Sequence, residues 1–332
     1  MRMLRPDGWR IDVFSLPMNV RFRRLTHREG VLISGPEGVG EFSPFWDYDA
    51  QVSASWLAAA LEAADEGFPD TIRESVPVNC TVPAVDPELA ARLASAPHGC
   101  TTAKVKVAEP GQTLDDDVAR VAAVRSAMGP AARIRVDANG AWSPQEAVRA
   151  IRALAELDLE YVEQPCATVE DLAAVRRLVD VPIAADESIR RARDPFRVKA
   201  MGAADIAVLK VQPLGGVRAC LAVAEQLDMP IVVSSALESS VGISAGVALA
   251  ACLPDLPYAC GLATTSMFER DVVDSPLRPV DGELRVGAVM PDPEAVRSVR
   301  ADSGTRSRWG ERLAECVVAL ARSFDVPEDQ VR

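Results

Sequence analysis

Lysine is nearly absent from this chain of 332 residues. Of its 36 basic residues only Lys104, Lys106, Lys199 and Lys210 are lysines. Three of the four lie in runs that read as strands, Lys104 and Lys106 in TTAKVKVAEP and Lys210 in ADIAVLKVQP. Strand-end lysines snorkelling to solvent are the bland explanation. The sharper one is that lysine, unlike arginine, can lose its proton near neutral pH when its surroundings favour the neutral form. A scarce residue kept where arginine serves elsewhere points to proton transfer. Three acids accompany the lysines at predicted strand ends: Asp137 in IRVDANGAW, Glu163 in EYVEQP and Asp186 in IAADES. Three carboxylates converging on a small volume repel one another unless a cation lies among them. The two histidines, His27 and His98, fall outside these runs. An all-oxygen donor set suits Mg2+, with Mn2+ possible, better than zinc.

Lys104 and Lys106 are two apart on one strand, so both face the same way. Lys210 ends a later strand, across the mouth of whatever the strands enclose. A metal on the three acids would lie between the lysines. That layout suits removal of a proton alpha to a carboxylate. The metal takes the carboxylate oxygens and the developing charge, and a lysine is the base. Positive neighbours lower the pKa of that base. The expected partner is a small-molecule carboxylate.

Eight short apolar runs carry these residues. They are Val76–Val82, Ala103–Val107, Ile134–Asp137, Glu160–Glu163, Ile183–Asp186, Asp205–Lys210, Pro230–Ser234 and Tyr258–Leu262. Helical patterns lie between them. Val118, Val121, Val124 and Met128 share one face, as do Ala147, Ile151, Leu154 and Leu157. Ser143 before Pro144 reads as an N-cap with proline in the first turn. Eight strand-and-helix units predict an α/β fold of the (β/α)8, TIM-barrel type over residues 76–262. In such a barrel the strand C-termini open on one face, where the acids and lysines meet. A doubly wound open sheet is the alternative, weakened by the missing GxGxxG after the first strand.

Residues 1–75 break the rhythm. Ile11–Leu16, Arg21–Leu25 and Gly30–Ser34 read as an antiparallel meander, Gly38–Tyr48 as a loop and Val52–Glu66 as a helix. The C-terminal segment, residues 263–332, is expected to return to the N-terminal segment through a strand pair within 263–290, including ELRVG, followed by a helix over Trp309–Ala321 and a tail. The chain carries 48 acidic residues and a formal charge of -12, so nucleic acid is an unfavourable partner. Seven scattered cysteines form no CxxC pair and read as buried hydrophobes of a reducing compartment. The apolar stretch Val241–Leu253 is too short to span a bilayer, and the N-terminus has no signal-peptide run. A cytoplasmic protein with no membrane partner is expected, of undetermined oligomeric state.

On the residues Lys104-Val105-Lys106, Asp137, Glu163, Asp186 and Lys210 the chain resembles the enolase superfamily, in its muconate-lactonizing subgroup. The stretches RVDANGAW, YVEQP, AADES, VLKVQPLGG and SSALESSVGI most resemble the o-succinylbenzoate synthase family of menaquinone biosynthesis. The resemblance implies an α+β capping domain formed from the N-terminal and C-terminal segments, with loops near Met18–Arg24 and Phe42–Tyr48 touching substrate. It implies a Mg2+-dependent hydro-lyase in which Lys106 takes the α proton and returns it to the departing hydroxyl. Lys210 stays protonated against the ring, and Lys104 touches the substrate carboxylate. Asn139 and Glu187 support the metal, and Arg135 helps hold the carboxylate through water. Ser234, Ser239, Gly261 and Leu262 receive the succinyl end. N-acylamino acid racemases share the lysines and acids, so racemisation, alone or as a second activity, is the alternative. A dipeptide epimerase is disfavoured because YACGLATT lacks the acids expected on the eighth strand. A barrel that has become a mere binding module is disfavoured because all five positions are intact.

Overall fold

The structure is a computed structural model that describes residues 9–22, 25–95, 99–190 and 194–325. Arg23, Arg24 and His98 lie outside the described residues. Three antiparallel strands come first, β1 (Arg10–Phe22), β2 (Leu25–Ser34) and β3 (Val39–Phe42), in the order β1-β2-β3. The expected meander is drawn differently. Of the expected strand Arg21–Leu25, Phe22 pairs with Leu25 at the far end of β1 and β2, and the third strand lies in the stretch read as a loop. Pro17 made β1 look interrupted, but proline is tolerated because β1 is an edge strand, and the register shifts between Pro17 and Phe22.

Helix α1 (Ala50–Asp65) starts at Asp49, whose side chain accepts from the Val52 amide. It covers one face of this sheet together with the C-terminal helix, and Trp56, Leu57, Val31, Ile33, Phe42 and Trp309 are buried there. The other face, with Phe14, Leu16 and Leu32, is covered by Met267, Phe268, Val272, Val296 and Val299. Each of these large side chains, once buried, contributes about 1.5–3 kcal/mol.

The barrel follows. Its elements are β4 (Ser75–Pro77), β5 (Cys80–Val82), α2 (Pro87–Ala94), β6 (Thr102–Lys106), α3 (Leu114–Met128), β7 (Arg133–Asp137), α4 (Pro144–Ala155), β8 (Leu159–Glu163) and α5 (Val169–Arg176). They continue with β9 (Ile183–Ala185), α6 (Asp194–Ala200), β10 (Ile206–Leu209), α7 (Val211–Leu214), α8 (Val217–Leu227), β11 (Ile231–Val233) and α9 (Ser240–Cys252). Strands β5 to β11 form one parallel sheet in sequential order. Cys260 and Gly261 close it. Cys260 bridges Val78 in parallel on one side and Gly261 bridges Ser234 in parallel on the other. The eighth run is thus two residues of pairing rather than a full strand.

The first run also divides. Ser75–Pro77 pairs antiparallel with β12 (Glu283–Arg285), and only Cys80–Val82 joins the parallel sheet. So ELRVG does not return to the N-terminal sheet as expected. It caps the start of the first barrel run instead. Residues 267–273 do return, as does α10 (Pro293–Ser298), and α11 (Ser303–Asp325) ends the described chain.

Capping residues set the barrel helices. Ser143 and Glu146 form a reciprocal capping box at α4 with Pro144 in its first turn, and Thr113 and Asp116 do the same at α3. Helix α9 is buried from Ser240 through Ala251, which explains its unbroken apolar composition. Among the described residues no helix is long and apolar enough to cross a membrane.

Candidate active site

The parallel register sets the site. Lys106, Asp137 and Glu163 are level with one another at the ends of β6, β7 and β8, and Lys104, Arg135 and Tyr161 are level one layer deeper. Asp186 directly follows β9 and Lys210 directly follows β10. All face inward, because residues two apart on a strand share a side.

Lys104 starts in the lower layer and climbs. Its Nζ donates to Glu163 Oε1 at 2.9 Å and lies 3.3 Å from Asp137 Oδ2. Lys106 Nζ donates to Asp137 Oδ2 and, at 2.8 Å, to Asn139 Oδ1. Lys210 Nζ donates to Asp186 Oδ2 at 2.7 Å. Lys104, Asp137, Glu163, Asp186 and Lys210 are all buried. Asn139 Nδ2 donates to Glu187 Oε1 at 3.1 Å. Asn139 and Glu187 therefore stand beside the acids, in the region where the family resemblance puts them.

Sequence reasoning missed Arg190. Its Nη2 donates to Asp186 Oδ2 at 3.1 Å and to Glu187 Oε1 at 2.7 Å, and its Nη1 donates to Tyr48 Oη at 2.7 Å. It thus ties a carboxylate of the barrel mouth to the loop after β3. Four residues beyond Asp186 in a single 3-10 turn, it had only its spacing as a signal, and an arginine-rich chain hides one arginine.

The charges divide unevenly. Burial works against the Asp137 carboxylate, but Lys106 and Lys104 outweigh it and hold its pKa below the usual range. Burial likewise opposes the charge on Lys104, and Glu163 and Asp137 overcome it, raising that lysine. Glu163 goes the other way. Burial and then the neighbouring Asp137 push it up to about 7. Burial is also the main cause that brings Lys210 down to about 8, against the pull of Asp186.

Lys104, Lys106, Lys210, Asp137, Phe45, Ser234, Leu237 and Gly261 are among the walls of one cavity of about 30 Å3. That is room for about two waters, because the lysine stems fill the mouth. Phe45, from the loop after β3, also walls an outer hollow of about 410 Å3 with Trp46, His27 and Arg308.

Three expected substrate contacts point elsewhere. Arg135 has the right strand parity but sits a full layer down, fully enclosed. Its Nε donates to Glu160 Oε2 at 2.9 Å and its Nη1 to Tyr161 Oη at 2.9 Å and the Ala259 carbonyl at 2.8 Å. Two residues of strand are about 6.6 Å, too deep for a carboxylate at the mouth. Ser239 is buried, its hydroxyl donating to Glu41 Oε2 at the start of α9. Leu262 is turned outward against Gly246 of α9, where an added Cβ would meet its Cδ2 at 2.6 Å.

Among the described residues no three acidic, histidine or cysteine side chains are gathered closely enough to hold a metal as they stand, since each acid is turned to a cation. The donor set nonetheless fits a hard divalent ion. It offers only carboxylate oxygens from three adjacent strand ends, and the raised Glu163 marks where positive charge is short.

Comparison with known proteins agrees with this fold. Residues 88–295 match the model for enolase C-terminal domain-like proteins and residues 13–64 that for enolase N-terminal domain-like proteins. The chain is 59% identical over 301 residues to o-succinylbenzoate synthase of Thermobifida fusca, covering 91% of this chain and 94% of that protein. It is 55% identical over 308 residues to o-succinylbenzoate synthase of Mycolicibacterium smegmatis, covering 92% and 95%. Among solved structures it is similar in fold to 2-chloromuconate cycloisomerase of Rhodococcus opacus, with a TM-score of 0.78 at 23% identity over 89% of this chain and 99% of that one. It is also similar to a dipeptide epimerase of Enterococcus faecalis, with a TM-score of 0.73 at 23% identity over 86% and 97%.

Proposed function

The chain belongs to the o-succinylbenzoate synthase family of the enolase superfamily, and on that premise we propose that it dehydrates 2-succinyl-6-hydroxy-2,4-cyclohexadiene-1-carboxylate to 2-succinylbenzoate, a step of menaquinone biosynthesis. The observation that carries the reading is that Lys106 and Lys210 reach one cavity, from the end of β6 and from just past β10.

Asp137, Glu163 and Asp186 are the residues to hold a divalent cation, Mg2+ first. When bound, such an ion draws negative charge from the substrate carboxylate as the α carbon loses its proton. The remaining chemistry belongs to the chain. The Lys106 amine takes the α proton. The ammonium so formed returns it to the neighbouring hydroxyl, the C–O bond breaks, and water leaves as the ring becomes aromatic. Lys210 stays protonated and attracts the ring by charge and cation–π contact. Lys104 keeps Asp137 and Glu163 apart in charge and meets the substrate carboxylate. Ser234 and Gly261, which wall the same cavity, receive the succinyl end. The 30 Å3 cavity requires the lysine stems to swing aside when substrate enters.

Two lysines on one cavity also suit proton exchange at a single carbon, the racemase reaction, with one base for each face. The two readings separate in 2H2O with Mg2+. A synthase aromatises the diene carboxylate much faster than it exchanges the α proton of N-succinylamino acids. Exchange into N-succinylamino acids without aromatisation would overturn the synthase reading and leave racemisation.

A further inference from the structure

Asp117 and Arg120 lie on α3, outside the barrel strands, and are buried at 2% and 1% exposure. They form an ion pair, Arg120 Nη1 to Asp117 Oδ1 at 2.7 Å. A buried pair gains little stability over apolar side chains of the same size, so its contacts matter more than its presence. Both partners reach the backbone that leaves β6. Arg120 Nη1 donates to the carbonyl of Lys106 at 3.1 Å, and Asp117 Oδ2 accepts from the amide of Ala108 at 2.9 Å. The pair therefore grips the two peptide groups that flank Val107, the first residue past Lys106.

That stretch needs a grip. Ala108 has a φ of 60°, a left-handed conformation that a residue with a Cβ adopts only when its surroundings impose it. Arg120 also ties this exit to the segment between β5 and α2, its Nε donating to the Val85 carbonyl at 2.7 Å, and its Nη2 donates to Gln112 Oε1. Asp117 and Arg120 touch neither the cavity nor the acids around it.

We infer that Asp117 and Arg120 are positioning residues for the proton-transferring lysine: by clamping the Lys106 carbonyl and the Ala108 amide they fix where the Lys106 ammonium stands in the cavity. The inference rests on Lys106 as the base in the proposed function. A displaced base costs rate more than binding, because proton transfer depends on sub-ångström approach whereas substrate affinity is spread over many contacts.

The test compares Arg120→Met, Arg120→Lys and Asp117→Asn with the intact protein. Arg120→Met is expected to lower kcat by roughly 10²-fold with KM little changed, and to enlarge the kinetic isotope effect on the α-deuterated substrate. Arg120→Lys should restore part of kcat, since an ammonium can still reach Asp117 and one carbonyl. Asp117→Asn keeps the side chain's shape and supplies the same reading if Arg120→Met does not fold. In parallel, labelling of lysines by an amine-reactive reagent is followed by mass spectrometry, with Lys210 as internal reference. The ratio of Lys106 to Lys210 labelling should shift in the variants, and this holds whatever the substrate proves to be. A fall in Tm with kcat, isotope effect and labelling ratio all unchanged would overturn the positioning role. An intact protein that does not turn over the diene carboxylate sinks the functional reading instead, and the labelling ratio then decides the clamp by itself.

Discussion

Asp137 and Glu163 stand opposite each other in the parallel register of β7 and β8, and the Lys104 ammonium joins them, 2.9 Å from Glu163 Oε1 and 3.3 Å from Asp137 Oδ2. In the absence of a bound ion this lysine supplies the charge that lets two buried acids share a space. Lys104→Met should therefore destabilise the ion-free protein by about 3–5 kcal/mol, the usual cost of stranding buried charge. Mg2+ should raise the Tm of this variant more than that of the wild type, because the ion replaces the missing charge. Equal shifts in the two proteins would contradict the metal assignment.

Arg135 lies one layer below the acids and is paired with Glu160. If its role is to fill the base of the barrel, Arg135→Met should lower stability by about 3–5 kcal/mol. Below its Tm the variant should keep a KM close to that of the wild type. A large rise in KM in a well-folded variant would restore Arg135 to substrate binding.

Gly261 bridges Ser234 and walls the cavity. An added Cβ would meet Ser234 Oγ at 2.5 Å and Ser234 Cβ at 3.2 Å. Gly261→Ala should raise KM for the diene carboxylate about tenfold, as expected when one methyl intrudes on a fitted pocket. An unchanged KM would remove Gly261 from the succinyl end.

Glu41 gives a pH prediction. Its carboxylate is buried between the N-terminal sheet and α9, accepting from the Ser239 amide at 3.0 Å, the Gly242 amide at 3.2 Å and Ser43 Oγ at 2.7 Å. Burial first, and then Glu238, push its pKa up from 4.5 to about 7. An acid raised on folding binds its proton more tightly in the folded state. The stability it contributes is full below about pH 4.5 and is lost as pH rises through about 7. At most roughly 3 kcal/mol is involved. Glu41→Gln should flatten the fall in Tm across that window. Parallel slopes in the two proteins would show that another group carries it.

How far the sequence could be read depends on what each feature required. Lys106, Asp137, Glu163, Asp186 and Lys210 were legible because strand parity and strand ends are local properties. They needed only that consecutive strands be parallel neighbours. Arg135 shows the limit of parity, which gives the face of a strand but not the depth along the barrel. Cys80–Val82 and Cys260–Gly261 are short because pairing there is set by closure of the sheet, a non-local condition that no window of residues encodes. Val39–Phe42 was hidden by the glycines around it, although Gly40 is there because α1 passes so close that an added Cβ would touch the Ala60 carbonyl. Arg190, Asp117 and Arg120 were invisible for a different reason. Their acid partners lie three or four residues away, but the Tyr48 hydroxyl, the Lys106 carbonyl and the Ala108 amide that give them their roles are brought near only by the fold.

The central claim is that Lys106 removes the α proton of the cyclohexadiene carboxylate. The most direct measurement is the Mg2+-dependent rate of aromatic product formation by the intact protein, set beside Lys106→Ala. The account predicts turnover by the intact protein that is lost on chelation, and a fall of roughly 10²–10⁴-fold in the folded variant. Aromatisation by Lys106→Ala at the rate of the intact protein would contradict it.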